Sequence, residues 1–279
     1  MASDAPPLRQ PDNESLPGLQ AHSGLKPECV PFSLVANRDQ CVVFIHGFTG
    51  SPADFRDFAK RYQAAGYDVF VPLVPGHGSH VSMLQDLTWR ELFVPFVPLL
   101  KRLRRRYKRV HVTGLSYGGV IASTLVLTCP QADTLSLFAP AFFLTVSSEK
   151  KAGLVKKFGL HNLIGRITKA DLRGDDGERL SANHEYTSVP LRPAVALHDQ
   201  SERIRPRLKE IKVPVFYAHG DADGTTPFIS NRDLMTRLIP RAHFVHVKGG
   251  LHVLPTDPNA AFLAERHLAW LEQTTANLP

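Results

Sequence analysis

The sequence predicts an α/β protein: a mostly parallel sheet flanked by helices, with a small helical insertion set over it. Three observations carry this. Short apolar runs alternate with longer amphipathic stretches from Cys41 to the C-terminal region. The first run, Cys41–Ile45, is apolar at every position rather than every second one, as in strands covered on both faces. The rhythm also breaks only once, across Ala141–Ile211, and then resumes. A chain of 279 residues with 43% apolar and 21% charged residues is ordinary for a globular protein and unlike a disordered or fibrous one.

Each element has a local reason. Cys41–Ile45 ends at a HisGly pair and reads as a buried strand. Ser51–Gly66 reads as a helix with Ser51 as N-cap and Pro52 in its first turn. There Phe55, Phe58, Ala59 and Tyr62 share a face, and Gly66 ends it. Asp68–Pro72 is the next strand. Trp89–Arg106 is a helix with a bend expected at its prolines. Arg109–Gly114 is a strand, Tyr117–Cys129 a helix and Thr134–Pro140 a strand. Ala141–Ile211 offers helical pieces and a GlyAspAspGly turn at Gly174–Gly177, but no convincing strand. The alternation resumes with Val213–Gly220, a helix near Ser230–Leu238, strand His243–Val247 and a closing helix near Asn259–Gln273. Strands joined this way imply right-handed crossovers. The expected organisation is a loose lead-in over residues 1–25, a core built from 26–140 and 212–279, and a cap over 141–211.

Composition excludes several classes. The lead-in has no basic segment followed by an apolar one, so no secretory signal is expected. The longest strongly apolar stretch, Phe93–Leu100, is eight residues with two prolines, against the roughly 20 a membrane helix needs. Cys29, Cys41 and Cys129 are odd in number and form no CxxC pair. They read as free thiols in a reducing, cytoplasmic compartment. No zinc, phosphate-loop or dinucleotide pattern occurs, so neither cofactor nor metal is expected. The net charge of +7 is moderate. Its densest part, Lys101–Arg109, reads as a solvated helix end, with at most a weak attraction to an anionic membrane surface and no nucleic-acid role.

The chemistry is concentrated at Gly114–Leu115–Ser116–Tyr117–Gly118, a GxSxG motif between an apolar strand and a helix rich in small residues. That setting suits a tight turn that lifts a serine hydroxyl above a sheet edge. A serine nucleophile needs a base and a group that orients the base. Asp223, in the loop after Val213–Gly220, is favoured for the acid over its neighbour Asp221. His252, after the last strand in GlyGlyLeuHis, is favoured as base, whereas His243 and His246 read as packing or surface residues. Acyl transfer also needs main-chain N–H donors for a developing oxyanion. Tyr117 supplies one and Phe48, in His46–Gly50, the other. His46 and His77 read as residues that fix loops.

Together these residues resemble the α/β-hydrolase fold and, more narrowly, bacterial carboxylesterases and monoacylglycerol lipases. The likeness runs from about Val42 to the C-terminus. It is closest in HGFTGSPADFRDFAKRYQAAGYDVFVPLVPGHGSH, VTGLSYGG, GDADGTTP and GGLHVLPTD. It implies the same triad, Ser116, Asp223 and His252, with oxyanion donors Phe48 and Tyr117, and a small acyl ester as substrate. Thioesterases, acyltransferases and peptide hydrolases share such a triad, and a non-catalytic binding protein on this scaffold is the remaining alternative. Two departures stand out. Tyr117 replaces the Met or Leu usual after the nucleophile. Thr187, following Tyr186, replaces a glutamate near the glycerol-binding end of monoacylglycerol lipases. Phe142, Phe143, Leu144, Leu163, Ile164 and Tyr186 are expected to wall the substrate pocket.

Overall fold

The computed structural model describes residues 16, 18–21, 24–157, 159, 164–168, 186 and 188–278. Strands β1 (Phe32–Leu34), β2 (Gln40–Ile45), β3 (Asp68–Val71), β4 (Arg109–Leu115) and β5 (Thr134–Phe138) precede a two-stranded antiparallel pair, β6 (Arg166–Thr168) with β7 (Ser188–Pro190). Strands β8 (Val215–Gly220) and β9 (His243–Val247) then rejoin the main sheet. Its order is β1-β3-β2-β4-β5-β8-β9, parallel throughout except for β1 against β3. This is the α/β-hydrolase arrangement expected from the sequence.

Successive side chains of a strand face opposite sides, and here both sides are covered. Cys41, Val43 and Ile45 of β2 enter one core, whereas Val42 and Phe44 enter the other. Helices α1 (Arg56–Ala64) and α9 (Ala260–Ala276) cover the Phe44 side, where Phe44, Phe55, Phe58 and Tyr62 pack ring against ring. The opposite side takes α4 (Phe96–Arg106), α5 (Tyr117–Thr128), α7 (Leu191–Ile204) and α8 (Phe228–Leu238). The apolar run of β2 is therefore a consequence of double coverage.

Local signals set most boundaries. Ser51 caps a 3₁₀ turn, Pro52–Phe55, that leads into α1, and Asp54 returns a bond to the Ser51 N–H. Gly66, at φ 92°, turns the chain out of that helix. The stretch Trp89–Arg106 is two helices: α3 (Trp89–Phe93), capped by Thr88 and Glu91, and α4. Pro95, which has no N–H to donate, stands at the break. One expectation is corrected and two elements are added. The insertion does contain strands, β6 and β7, but three residues each is too short for a periodic pattern. Strand β1 and the four-residue helix α2 (Ser82–Gln85) were hidden for the same reason. Within the insertion, α6 (Val146–Lys157) is followed by α7. The latter packs on α5 and ties Ser201 Oγ to the Ala141 and Phe142 carbonyls. Among the described residues no helix is long and apolar enough to cross a membrane.

Burial keeps three histidines neutral. His46, His111 and His267 are each fully enclosed, and loss of solvation lowers all three, His111 to about 4. Nearby His77 adds to the effect at His46. The unfolded chain binds protons at these sites below about pH 6.5 and the folded chain does not. Stability is therefore complete above that pH and falls as pH drops toward about 4, by up to about 1.4 kcal/mol per unit for each histidine. Urea titrations at pH 7.5, 6 and 5 should show a falling midpoint. An unchanged midpoint would contradict neutral burial.

Candidate active site

Ser116 sits between β4 and α5 with φ 56° and ψ −122°, a conformation that L-residues avoid. The turn closes because the residues two positions away on either side, Gly114 and Gly118, have no side chains. A Cβ on Gly114 would stand 2.2 Å from the Gly118 carbonyl oxygen, and one on Gly118 2.1 Å from that of Ile45. The strain is held by Ser116 N donating to Phe138 O and by its carbonyl accepting from Gly119 and Ala141. The hydroxyl thus stands at the C-terminal edge of the central strands, where such sheets bind ligands.

Two loops meet it there. His252 Nε2 accepts from Ser116 Oγ at 2.9 Å, and His252 Nδ1 donates to Asp223 Oδ2 at 2.8 Å. Asp223 Oδ1 accepts from the Thr225 and Thr226 amides, while Oδ2 also accepts from Thr226 Oγ1 at 2.7 Å. Burial alone would raise this carboxyl. Hydrogen bonds from His219, His252 and Thr226, with the charge that His252 can carry, outweigh burial and hold it well below the usual carboxylate range. Asp221 lies outside this constellation and binds His246 Nε2 and the Gly249 N–H instead. His246 is exposed, and His243 stacks on Phe216. Sequence reasoning passed over three supports: Thr226, His219 and Asp257. Asp257 is buried, accepts from Leu251 N at 2.7 Å and so anchors the turn that carries His252. The only local signal was the short spacing of Thr226 and Asp257 from Asp223 and His252.

The loop after β2 runs past the serine. A Cβ built on Gly47 would stand 3.1 Å from Ser116 Cβ, which brings the Phe48 backbone alongside the hydroxyl. Among the described residues the Phe48 N–H has no protein acceptor. The Phe48 and Tyr117 rings meet edge to face at 5.9 Å. His46 and His77 do fix loops: His46 Nε2 accepts from Val74 N, and His77 Nε2 accepts from Thr49 N, each at 3.0 Å. Tyr186 stacks on His77, donates to Gly76 O and accepts from Ser79 N. It braces the same loops from the insertion side.

The segment after β5 spans the gap between Ser116 and the Asp223 loop. Ala141 N bonds to Ser116 O and Thr145 N to Thr225 O. Phe143 and Leu144 are half-buried on that span, with Phe143 held by Asn231 of α8 and by Arg205 over its ring. Phe142 turns into the core beneath it. Ile164 is exposed beside β6. Leu163 and Thr187 lie outside the described residues. One cluster among the described residues has metal-ligand spacing, His198, Asp199 and Glu202 of α7, but Lys156 Nζ stands 2.6 Å from Asp199 and supplies a cation itself. The basic run is at the opposite end of β4 from Ser116. Arg104 and Arg109 there pair with Asp133, and Lys108 pairs with Asp39.

The chain is similar in sequence and fold to several known proteins. Thermostable monoacylglycerol lipase of Bacillus sp. (strain H-257) is 27% identical over 229 residues, 81% of this chain and 88% of the relative. The Bacillus subtilis (strain 168) carboxylesterase is 25% identical over 187 residues, 66% of this chain and 72% of its own. Two solved structures share the fold at 20% identity. One, from work on the metagenome-derived lipolytic enzymes LipS and LipT, has TM-score 0.75 over 89% of this chain and 99% of that one. The other, monoacylglycerol lipase of Paleococcus ferrophilus, has TM-score 0.68 over 86% and 98%. Residues 36–259 match the family Hydrolase_4, described as serine aminopeptidase S33. The chain therefore belongs to that α/β-hydrolase family and is a hydrolase of the esterase/lipase kind, distantly similar to bacterial monoacylglycerol lipase and carboxylesterase.

Proposed function

We propose that the protein is a serine carboxylesterase that cleaves short- to medium-chain acyl esters through an acyl-enzyme. The observation that carries this reading is the unbroken hydrogen-bonded chain from Ser116 Oγ through His252 to Asp223. His252 Nε2 takes the hydroxyl proton as Ser116 Oγ bonds to the ester carbonyl carbon. The Phe48 and Tyr117 amides hold the oxyanion. The imidazolium passes its proton to the departing alkoxide, leaving Ser116 acylated. Water then gives a proton to His252 and its oxygen to the acyl carbon, which releases the acid and restores the hydroxyl.

Phe143 and Leu144, with Ile164 from the insertion, form apolar walls in this reading, and Tyr186 holds the oxyanion loop. Each buried methylene contributes about 0.8 kcal/mol, so kcat/KM should climb with acyl length until the walls are filled, then fall. A p-nitrophenyl ester series from acetate to palmitate, run beside thioester and amide analogues, tests this. A maximum at short to medium chains is expected, and faster cleavage of the amide would overturn the ester assignment in favour of peptide hydrolysis.

The 27% identity to a monoacylglycerol lipase supports that activity as a second reading. Threonine at position 187 argues against dedicated glycerol recognition. A medium-chain monoacylglycerol should therefore be cleaved with kcat/KM within about a hundredfold of the matching methyl ester. A larger advantage, beyond about 2.7 kcal/mol, would favour the lipase.

A further inference from the structure

On the far side of Asp223 from His252 lies a second histidine. His219 is on β8, is fully buried, and has every ring nitrogen engaged. Its Nδ1 is 2.7 Å from the Tyr217 hydroxyl. Its Nε2 is 3.2 Å from Asp223 Oδ2, 3.1 Å from the Thr226 carbonyl oxygen and 3.2 Å from Thr226 Oγ1. These partners settle the tautomer. A carboxylate and a carbonyl only accept, so Nε2 carries the hydrogen. Nδ1 is then the acceptor, and the Tyr217 hydroxyl donates to it. Burial raises Tyr217 far above a phenol's ordinary range, so it keeps the proton it donates.

We propose that His219 is a positioning residue for hydrolysis: locked by Tyr217, it clamps the Asp223 carboxylate from behind and so completes a five-membered chain, Tyr217–His219–Asp223–His252–Ser116. The inference rests on the serine-triad reading above. Asp223 Oδ2 accepts from His252 and Thr226, the His219 Nε2–H, shared with the Thr226 carbonyl, stands 3.2 Å from the same oxygen, and both Oδ1 bonds come from backbone amides. Removing the His219 donor leaves more of the carboxylate charge on the oxygen that faces the imidazolium of His252. It also leaves a buried tyrosine hydroxyl without its acceptor. The surroundings of His219 hold few other charges. Phe228 of α8 packs edge-on against its ring, and beyond Phe228 lie His246 of β9, stacked on that ring, and the Arg232 guanidinium.

A satisfied core histidine with no bearing on catalysis would share the burial, so the test separates shape from hydrogen bonding. His219→Phe keeps the ring and removes both nitrogens. His219→Gln keeps an N–H near the position of Nε2. Tyr217→Phe leaves the histidine and removes its lock. For His219→Phe, kcat should fall about 10- to 100-fold with KM within about twofold, and the acid limb of kcat/KM should move up by about half to one pH unit. His219→Gln should recover kcat to within about threefold of the unaltered protein, and Tyr217→Phe should move the limb in the same direction. The proposal is overturned if His219→Phe keeps the original limb and kcat, or if Gln and Phe are equally impaired with the limb unmoved. Should His219→Phe fail to fold, Tyr217→Phe decides: a shifted limb supports the clamp and an unshifted one refutes it. Failure of the triad reading would look different. The unaltered protein would then not react with a fluorophosphonate, or Asp223→Asn would retain activity.

Discussion

Ser116→Ala is expected to lower kcat by on the order of 10⁴-fold or more while leaving the fold intact. The substitution removes one oxygen. It keeps the backbone at φ 56°, which is held by the bonds to Phe138, Gly119 and Ala141 rather than by the hydroxyl. The Phe48 and Tyr117 amides survive, so residual oxyanion stabilisation should leave activity above the uncatalysed rate. A fluorophosphonate probe should label the unaltered protein and not the variant, with far-ultraviolet circular dichroism confirming the fold. Labelling that persists in Ser116→Ala would place the nucleophile elsewhere.

A loss of similar size, about 10⁴-fold in kcat, is expected for Asp223→Asn. Every group around this carboxylate is a donor: the Thr225 and Thr226 amides, the Thr226 hydroxyl, His219 and His252. An asparagine must turn its NH₂ toward one of these clusters. If it faces His252, Nδ1 becomes the acceptor and the hydrogen moves to Nε2. That nitrogen can then no longer take the serine proton. Asp221→Asn is the control. That side chain serves His246 and Gly249 at the surface, and its loss should change kcat/KM less than about tenfold. Parallel kinetics on the two variants suffice, and a reversed pair of results would reassign the acid.

The sequence by itself determined the architecture wherever a physical signal was local and repeated. The all-apolar run Cys41–Ile45 required a strand covered on both faces. Ser51, Pro52 and Gly66 bounded a helix. GxSxG between strand and helix announced the turn at Ser116, since a Cβ at Gly114 or Gly118 would stand only 2.1–2.2 Å from a carbonyl oxygen. The loop positions after β8 and β9 pointed to Asp223 and His252, which the fold then brings within hydrogen-bonding reach of one another and of Ser116. What the sequence did not reveal depends on partners far away along the chain or on elements of three residues. Strands β1, β6 and β7 have no period to read. Phe142 and Phe143 are neighbours of the same kind, yet one turns into the core and the other lies on the span between Ser116 and the Asp223 loop, a choice made by α7 and α8. Only the tertiary structure decided what each histidine, His252 included, meets at its two ring nitrogens. The imidazole is the same throughout, and its role follows from what stands at each nitrogen. Carboxylate and serine meet His252, main-chain amides meet His46 and His77, and tyrosine and carboxylate meet His219.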